Sequence, residues 1–466
     1  MPDQKNPKKR ALKAIAKPAN KKVTKTKQIN LLWLGLGLTG VAMISATAGA
    51  LLAVSLASTP LMQQKLSAEE EAVFGKGDSF SRSNMKLPEV TRPVNILILG
   101  IKVITSDLNN PPPRTKNLGY HALVNSFDGL ADTMLLLRFD PEKKKISVLS
   151  IPRDTRVVID GHGVQKINAA NDIGGPAVAA KEVSNLLEGV AIDRYIRINV
   201  QGVEKLIEAL GGVTVYVPKD MKYKDDSQHL YINLKQGKQH LNGDQALQLL
   251  RFRYDQNGDI GRIQRQQMVL RALMEQALNP TILTRVPKIL AIIQSHLDTN
   301  LSVEELAALV GFGIKTDRQQ VQMLMLPGDV NGNGHHRISY WLPNRSRIKT
   351  LMAKYFDQGT SDRELVDTSK VRVTIQDTTG DSQAVQSLVR TLEEAGYRRI
   401  TIDKSLPESL SVTQIIAQQG DEDSAKQVYS SLGFGDVSVG TSGTLYSDVT
   451  IKLGLDGLQK QLTINN

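Results

Sequence analysis

The chain has 466 residues, no cysteine and a formal net charge of +11. The length accommodates two or three domains with cores of their own, and disulfides and thiol chemistry are excluded. The charge resembles a nucleic-acid signature until it is divided: residues 1–28 hold ten Lys or Arg against Asp3, a sum of +9, and the other 438 residues carry only +2. With the cations gathered in a tail, no nucleic-acid partner is expected.

The tail is rich in Lys, Pro and Asn, a composition that predicts disorder. Directly after it, Leu31 to Ser58 runs 28 residues without a charge, against roughly 20 needed to cross a bilayer as a helix. Every nearby Lys and Arg lies on its N-terminal side. The positive-inside rule therefore places the tail in the cytoplasm and everything after Thr59 outside, as a single-pass protein of the cytoplasmic membrane with periplasmic domains. Gly35-Leu36-Gly37-Leu38-Thr39-Gly40 matches a dinucleotide fingerprint but has no strand before it, so it is set aside. Ser45 and Gly49, four apart, admit close packing of two such spans and thus a homodimer.

Residues 59–92 read as a linker. Past it, Asn95 to Gly100, Met134 to Phe139 and Ile146 to Ile151 are short, near-continuous apolar runs, which suggest strands of a sheet covered on both faces. Helices interleave with them: one begins at Gly175-Pro176 and runs to about Leu187, and another covers Gln201 to Leu210, where Gly211 stops it. Val213 to Val217 returns to strand, Ser302 to Val310 is helical, and Val321 to Leu326 is a further strand. This alternation predicts an α/β fold with αβα layers over residues 93–355. Two connections stand out. The stretch from Ile101 to Asp132 is long enough for a binding loop. In Ile151-Pro-Arg-Asp-Thr155, Pro152 ends a strand and releases Arg153 and Asp154 at its carboxyl edge, where ligands of open α/β sheets bind; Lys166 follows in a glycine-bearing loop.

The stretch Leu250 to Gln267 carries Arg251, Arg253, Arg262 and Arg265. Alternation suggests a strand with Arg251 and Arg253 on one face and Leu250, Phe252 and Tyr254 on the other, then a turn at Asn257-Gly258 and a helix opened by Gly261. Arg262 and Gln266 share one face of that helix. Two guanidiniums about 6 Å apart repel by roughly 3 kcal/mol at an effective dielectric near 20, which something negative must offset. One reading is a clamp on phosphate, which arginine grips with two hydrogen bonds; the other is a solvated helix start paired with Asp255 and Asp259.

Asp329 to Gly334 resembles the start of a calcium loop, but its twelfth position is Tyr340, so it reads as a turn. His335 and His336 are adjacent and read as solvent-exposed. Residues 356–369 form a second linker, and residues 370–456 alternate short strands with helices at Ser382–Ala395 and Glu422–Ser431, a smaller α+β domain without a cluster of catalytic types.

Asp132, Arg153, Asp154, Lys166 and the four arginines together amount to several cations with one or two carboxylates, equipment suited to phosphoryl transfer. Asp132-Thr133, Ser150-Ile-Pro-Arg-Asp-Thr155, Lys166-Ile-Asn-Ala-Ala170 with Gly174-Gly175, Ala209-Leu-Gly-Gly-Val213, and Arg251-Phe-Arg253 followed by Asp259 to Gln267 resemble the LytR-CpsA-Psr family over about residues 93 to 350. Residues 370–456 resemble the small LytR C-terminal domain. The resemblance implies an enzyme that takes a glycopolymer from its polyprenyl-pyrophosphate carrier and joins it by a phosphodiester to peptidoglycan, usually with magnesium. Carried over by position, Arg153, Arg251, Arg253, Arg262 and Gln266 match pyrophosphate-binding residues, and Asp132 matches a metal-binding aspartate. Arg265, Lys166 and Lys102 join the expected pyrophosphate set, and Asp132 or Asp154 is the expected proton acceptor. The lipid is expected in an apolar tunnel under the sheet. Two positions depart from the family: Lys102 stands where an acid is usual, and Leu130 where an arginine is. They put magnesium dependence in doubt and keep a non-catalytic wall-binding role open, alongside a polyprenyl pyrophosphatase.

Overall fold

The computed structural model describes residues 65–75, 79–80, 88–102, 127–226, 230–252, 258–277, 279–331, 339–360, 366–403, 409–444 and 446–458. The uncharged stretch Leu31 to Ser58, Arg253, and the histidines 335 and 336 lie outside them. Among the described residues no helix is long and apolar enough to cross a membrane.

β1 (Val94–Lys102), β2 (Leu130–Asp140) and β3 (Lys145–Ile151) form an antiparallel meander. A hairpin of β4 (Arg156–Ile159) and β5 (Gly163–Lys166) follows, then helix α1 (Ala169–Leu186), β6 (Arg194–Asn199) and α2 (Val200–Leu210). β7 (Val213–Val217), β8 (Met221–Asp225), β9 (Leu230–Leu234) and β10 (Gly237–Leu241) make two small ribbons, β7 with β10 and β8 with β9. Next come α3 (Gly243–Arg251), α4 (Gly258–Ala277), α5 (Val286–His296), β11 (Leu297–Thr299), α6 (Val303–Lys315) and β12 (Val321–Met325). The two-stranded ribbon β13 (Gly328–Val330) and β14 (Trp341–Pro343) and helix α7 (Arg345–Phe356) complete this part. The central sheet has the order β11-β6-β1-β2-β3-β12.

Both faces of that sheet are covered, because successive side chains of a strand point opposite ways and here both sets are apolar. Leu97 and Leu99 of β1, Met134 and Leu136 of β2 and Leu149 of β3 pack with α1 and α7 in one buried cluster. Ile96, Leu135, Leu137, Ile146 and Val148 face the other way, into a cluster with Ile289 and Ile293 of α5 and Leu306 and Leu309 of α6. Leu97, Leu99, Leu136 and Leu149 are fully buried; each such side chain contributes roughly 1.5–3 kcal/mol. The α/β layering expected from the alternating runs is therefore present.

Three local expectations need correcting. Leu250 to Tyr254 does not begin as a strand: Asn242 and Gln245 form a capping box that starts α3, and Ala246, Leu249 and Phe252 bury a three-residue period rather than an alternating one. Arg251 is consequently the last residue of a helix. α4 starts at Gly258, not Gly261, which moves Arg262 past the first turn and away from the positive end of the helix dipole. The α1 helix extends back to Ala169, with Gly174 and Gly175 (φ +65°) forming a kink inside it.

The smaller C-terminal part has β15 (Arg372–Asp377), α8 (Ser382–Glu394), β16 (Arg399–Asp403), β17 (Gln414–Ala417), α9 (Glu422–Leu432), β18 (Asp436–Val439) and β19 (Val449–Leu453). Its sheet runs β16-β15-β19-β17-β18 over its own core, which includes Val373, Ile375, Leu388, Val428 and Ile451. It docks on the larger part through Arg347 Nη1 to Asp448 (2.6 Å), Lys354 to Glu422 (3.1 Å), an Arg372–Asp329 ion pair, and the Tyr355 hydroxyl donating to the Gly420 carbonyl.

Candidate functional site

Asp132 and Arg153 meet because β2 and β3 run antiparallel with Met134 opposite Ile151. Two residues beyond that rung on either strand bring the two side chains together at one edge of the sheet. The β1–β2 register shifts between Gly100 and Ile101: Thr133 pairs with Gly100 and Ala131 with Ile101, which leaves Asp132 between them. A bulge of this kind re-aims a side chain out of the ladder. Gly100 admits the close approach, since a Cβ there would stand 3.0 Å from the Thr133 Cβ.

The loop after β3 is pinned on every side. Pro152 offers its carbonyl to the Thr155 amide (2.9 Å) and to the buried Thr155 hydroxyl (2.6 Å). The Asn168 amide donates to the Arg153 carbonyl and the Trp341 amide to that of Asp154. With its backbone held, the segment presents two charged side chains in fixed places. Arg153 Nη1 lies 2.7 Å from Asp132 Oδ1, its Nε lies 3.3 Å from Asp154 Oδ2, and Lys166 Nζ lies 2.7 Å from Asp154 Oδ1. The four form a chain of alternating sign, Asp132–Arg153–Asp154–Lys166. Their side chains are 13–32% exposed, shielded enough to strengthen the pairing and open enough for a ligand to compete. Gln266 of α4 reaches the Asp132 carbonyl at 3.5 Å.

The remaining expected residues are spread around this chain. Lys102 is the last residue of β1 and pairs through its backbone with Leu130, so it stands at the same sheet edge; its side chain lies outside the described residues, as does that of Arg262 in α4. Arg251 closes α3. Arg265, expected with the pyrophosphate set, is packed differently. It is 3% exposed, Nη2 donates to the Phe252 carbonyl at 2.5 Å, and its guanidinium lies over the Phe252 ring. One step along α4 from Gln266 turns a side chain by about 100°, which carries Arg265 round the helix.

Magnesium takes one or two carboxylates together with phosphate oxygens. The carboxylates at this edge, Asp132 and Asp154, are both engaged by cations, and no group of three or more His, Asp or Glu able to hold a metal occurs among the described residues. These residues do not by themselves make a magnesium site, and no step below runs through a metal.

A support that the sequence reading missed lies under the strand. Arg197 and Asp298, each 4% exposed on the side chain, pair at 2.6 Å across β6 and β11. Arg197 also reaches the Phe127 carbonyl and stacks over the Phe127 ring, and Asn171 donates to the carbonyls of Phe127 and Gly129. Together they fix the residues entering β2 just before Asp132. The available signal was a charged residue in the otherwise apolar run Tyr195 to Ile198.

Residues 58–356 match the family model described as the LytR_cpsA_psr family. The chain belongs to the LytR-CpsA-Psr family. Residues 370–456 match a second model, described as LytR cell envelope-related transcriptional attenuator. Similar family members include polyisoprenyl-teichoic acid–peptidoglycan teichoic acid transferase TagV of Bacillus subtilis, 31% identical over 239 residues, covering 49% of this chain and 60% of TagV. TagU of Oceanobacillus iheyensis, bearing the same transferase name, is 34% identical over 224 residues (47% of this chain, 62% of TagU). The regulatory protein MsrR of Staphylococcus aureus is 33% identical over 210 residues (43% of this chain, 62% of MsrR). The chain thus spans 60–62% of the length of these LytR-CpsA-Psr relatives. The crystal structure of B. subtilis TagV, 28% identical, aligns with a TM-score of 0.47 over 59% of this chain and all of that one.

Proposed function

We propose that the protein transfers a glycopolymer from a polyprenyl-pyrophosphate carrier to a hydroxyl of peptidoglycan, joining the two by a phosphodiester. The observation that carries this reading is the Asp132–Arg153–Asp154–Lys166 chain at the β2–β3 edge, with Gln266 set against Asp132. Its guanidinium and ammonium are paired with carboxylates that a pyrophosphate can displace, because phosphate accepts the same charge-assisted hydrogen bonds and carries more charge.

In the reaction the acceptor oxygen attacks the phosphorus next to the glycan. A new P–O bond forms, the P–O–P bridge breaks, and polyprenyl monophosphate leaves with the bonding pair. Arg153 and Lys166, joined by Arg251, Arg253 and Arg262, provide positive charge where the phosphoryl oxygens and the leaving oxygen gain negative charge, and Gln266 donates a hydrogen bond. The hydroxyl proton goes to Asp132. Once phosphate draws Arg153 away, the Asp132 carboxylate is released from its 2.7 Å contact and can take that proton.

The membrane is a partner in this reading: the basic tail lies inside, the Leu31–Ser58 span crosses, and both domains are periplasmic, where the donor's lipid enters an apolar tunnel under the sheet. The direct test is binding of a polyprenyl-pyrophosphate lipid by the purified full chain. Arg153→Ala should weaken it about tenfold, a loss of the size of one charge-assisted hydrogen bond. Unchanged affinity in Arg153→Ala overturns the site.

A further inference from the structure

A second concave site among the described residues lies away from the Asp132–Arg153 edge. It is a cleft of about 720 Å³ between α4 and β7 on one side and the C-terminal domain on the other. α4 separates the two places. At 100° per residue, Arg262 and Gln266 share one side of the helix, whereas Gln264, Met268, Arg271 and Glu275, which line the cleft, lie on the other. The helix that carries pyrophosphate candidates on one face therefore forms the wall of a second chamber with the other.

The chemistry of that chamber is one-sided. Among the described residues that line it, Lys219, Lys238, Arg265, Arg271 and Lys452 contribute cations, and Glu275 is the single carboxylate. Burial lowers the pKa of Arg271, with Glu275 one turn on opposing that shift, so this guanidinium sits in surroundings that favour a further anion. Neutral polar groups accompany the charges. Gln376, 8% exposed, donates through Nε2 to Asp403 and Thr444, yet its Oε1 is buried without a hydrogen-bond partner. A buried acceptor left unmatched is unfavourable, and a hydroxyl donor entering the cleft would match it.

The walls are locked together. The Thr441 hydroxyl donates to Gln267 Oε1 at 3.0 Å, and both residues are 4% exposed. At Gly443 an added Cβ would meet Gln418 and Thr450 at 2.2–2.4 Å, so only glycine lets this stretch of the wall lie so close to the sheet. A cleft whose walls are already held together loses little entropy on binding.

We propose that this interdomain cleft binds an acidic saccharide, with Arg271 and Lys452 on its anionic groups and Gln376 Oε1 accepting from a sugar hydroxyl. An extended acidic glycan, rather than a small anion, matches a chamber of this size with both charge and hydroxyl partners. The C-terminal domain then has a task of its own: it completes a saccharide subsite on the back of α4. This assignment does not depend on the transfer reaction, because it is tested by binding alone.

The experiment is calorimetric titration of the full chain in detergent with oligogalacturonate, with a neutral maltooligosaccharide and with inorganic phosphate. Oligogalacturonate should bind, and the other two at least about tenfold more weakly. Arg271→Gln/Lys452→Gln should lose about tenfold in oligogalacturonate affinity, while its affinity for polyprenyl-pyrophosphate lipid stays at the wild-type value. Lys238→Gln, an exposed change that leaves the core untouched, should weaken saccharide binding about threefold and serves if the double variant fails to fold. Absence of oligogalacturonate binding, equal affinity for the neutral sugar or for phosphate, or wild-type saccharide affinity in the folded variants overturns the proposal.

Discussion

Arg153 Nη1 stands 2.7 Å from Asp132 Oδ1, and the contact exists because a bulge in β2 and a proline at the end of β3 turn both side chains out at the same edge. Neither residue reaches the other by sequence proximity; the antiparallel register delivers them. Asp132→Asn keeps the shape but removes the charge that Arg153 faces. We expect it to leave lipid binding within about threefold, since binding draws on the cations, and to reduce transfer by about 10²–10⁴, the usual contribution of a general base. Equal losses in binding and turnover would assign Asp132 to binding alone.

The buried Arg197–Asp298 pair supports that edge from below. Removing one partner of such a pair strands the other charge and typically costs about 3–5 kcal/mol. Asp298→Ala should lower the denaturant midpoint correspondingly, and should do so more than Asp160→Ala, whose pair with Lys181 is exposed. Equal effects of the two substitutions in urea unfolding would show that the Arg197 network carries no special weight.

The contact between the domains depends on acid. Burial alone would raise the Asp448 carboxyl, but the Arg372 hydrogen bonds and the charges of Arg347 and Arg372 hold it below its ordinary value. A carboxylate lowered in the folded state adds stability above its unfolded pKa, about 3.9, and that stability is lost as pH falls through the lower folded value. Arg347 belongs to the larger part and Asp448 to the smaller. Proteolysis between the domains should therefore accelerate as pH drops below about 4, and Asp448→Asn should show the faster cleavage already at neutral pH. A pH-independent cleavage rate contradicts this.

Metal removal separates two arrangements of the site. The carboxylates at the edge are engaged by Arg153 and Lys166, and Lys102 ends the adjacent strand where the family usually has an acid. Cations at a phosphate site can supply the charge a metal supplies. Lipid binding should survive chelation and fall in Lys102→Ala. Binding that disappears in chelator and is normal in Lys102→Ala would restore an ordinary magnesium site.

Much of the layered fold was legible because near-continuous apolar strands such as Asn95 to Gly100 have few alternatives to a doubly covered sheet, and Arg153 and Asp154 were legible because Pro152 marks the strand end. The helix α3 was not. Leu250, Phe252 and Tyr254 alternate as well as any strand, and only the Asn242–Gln245 cap and the buried Ala246–Leu249–Phe252 spacing decide for a helix. The direction of Arg265 was also hidden, since it depends on where α4 starts and on the Phe252 carbonyl that receives its hydrogen bond. The bulge at Asp132 follows from pairing with Gly100 and Ile101, a non-local register that local sequence does not encode.

The proposed transfer from a pyrophosphate-linked glycan takes place at the Asp132–Arg153 edge. The most direct measurement incubates the purified full chain with a polyprenyl-pyrophosphate-linked oligosaccharide and peptidoglycan, and follows phosphorus by mass spectrometry. Polyprenyl monophosphate and wall-bound glycan phosphodiester are expected in equal amounts, with both products lost together in Arg153→Ala. Release of polyprenyl monophosphate with the glycan phosphate in solution, or the same yield of wall-bound product from Arg153→Ala, would contradict it.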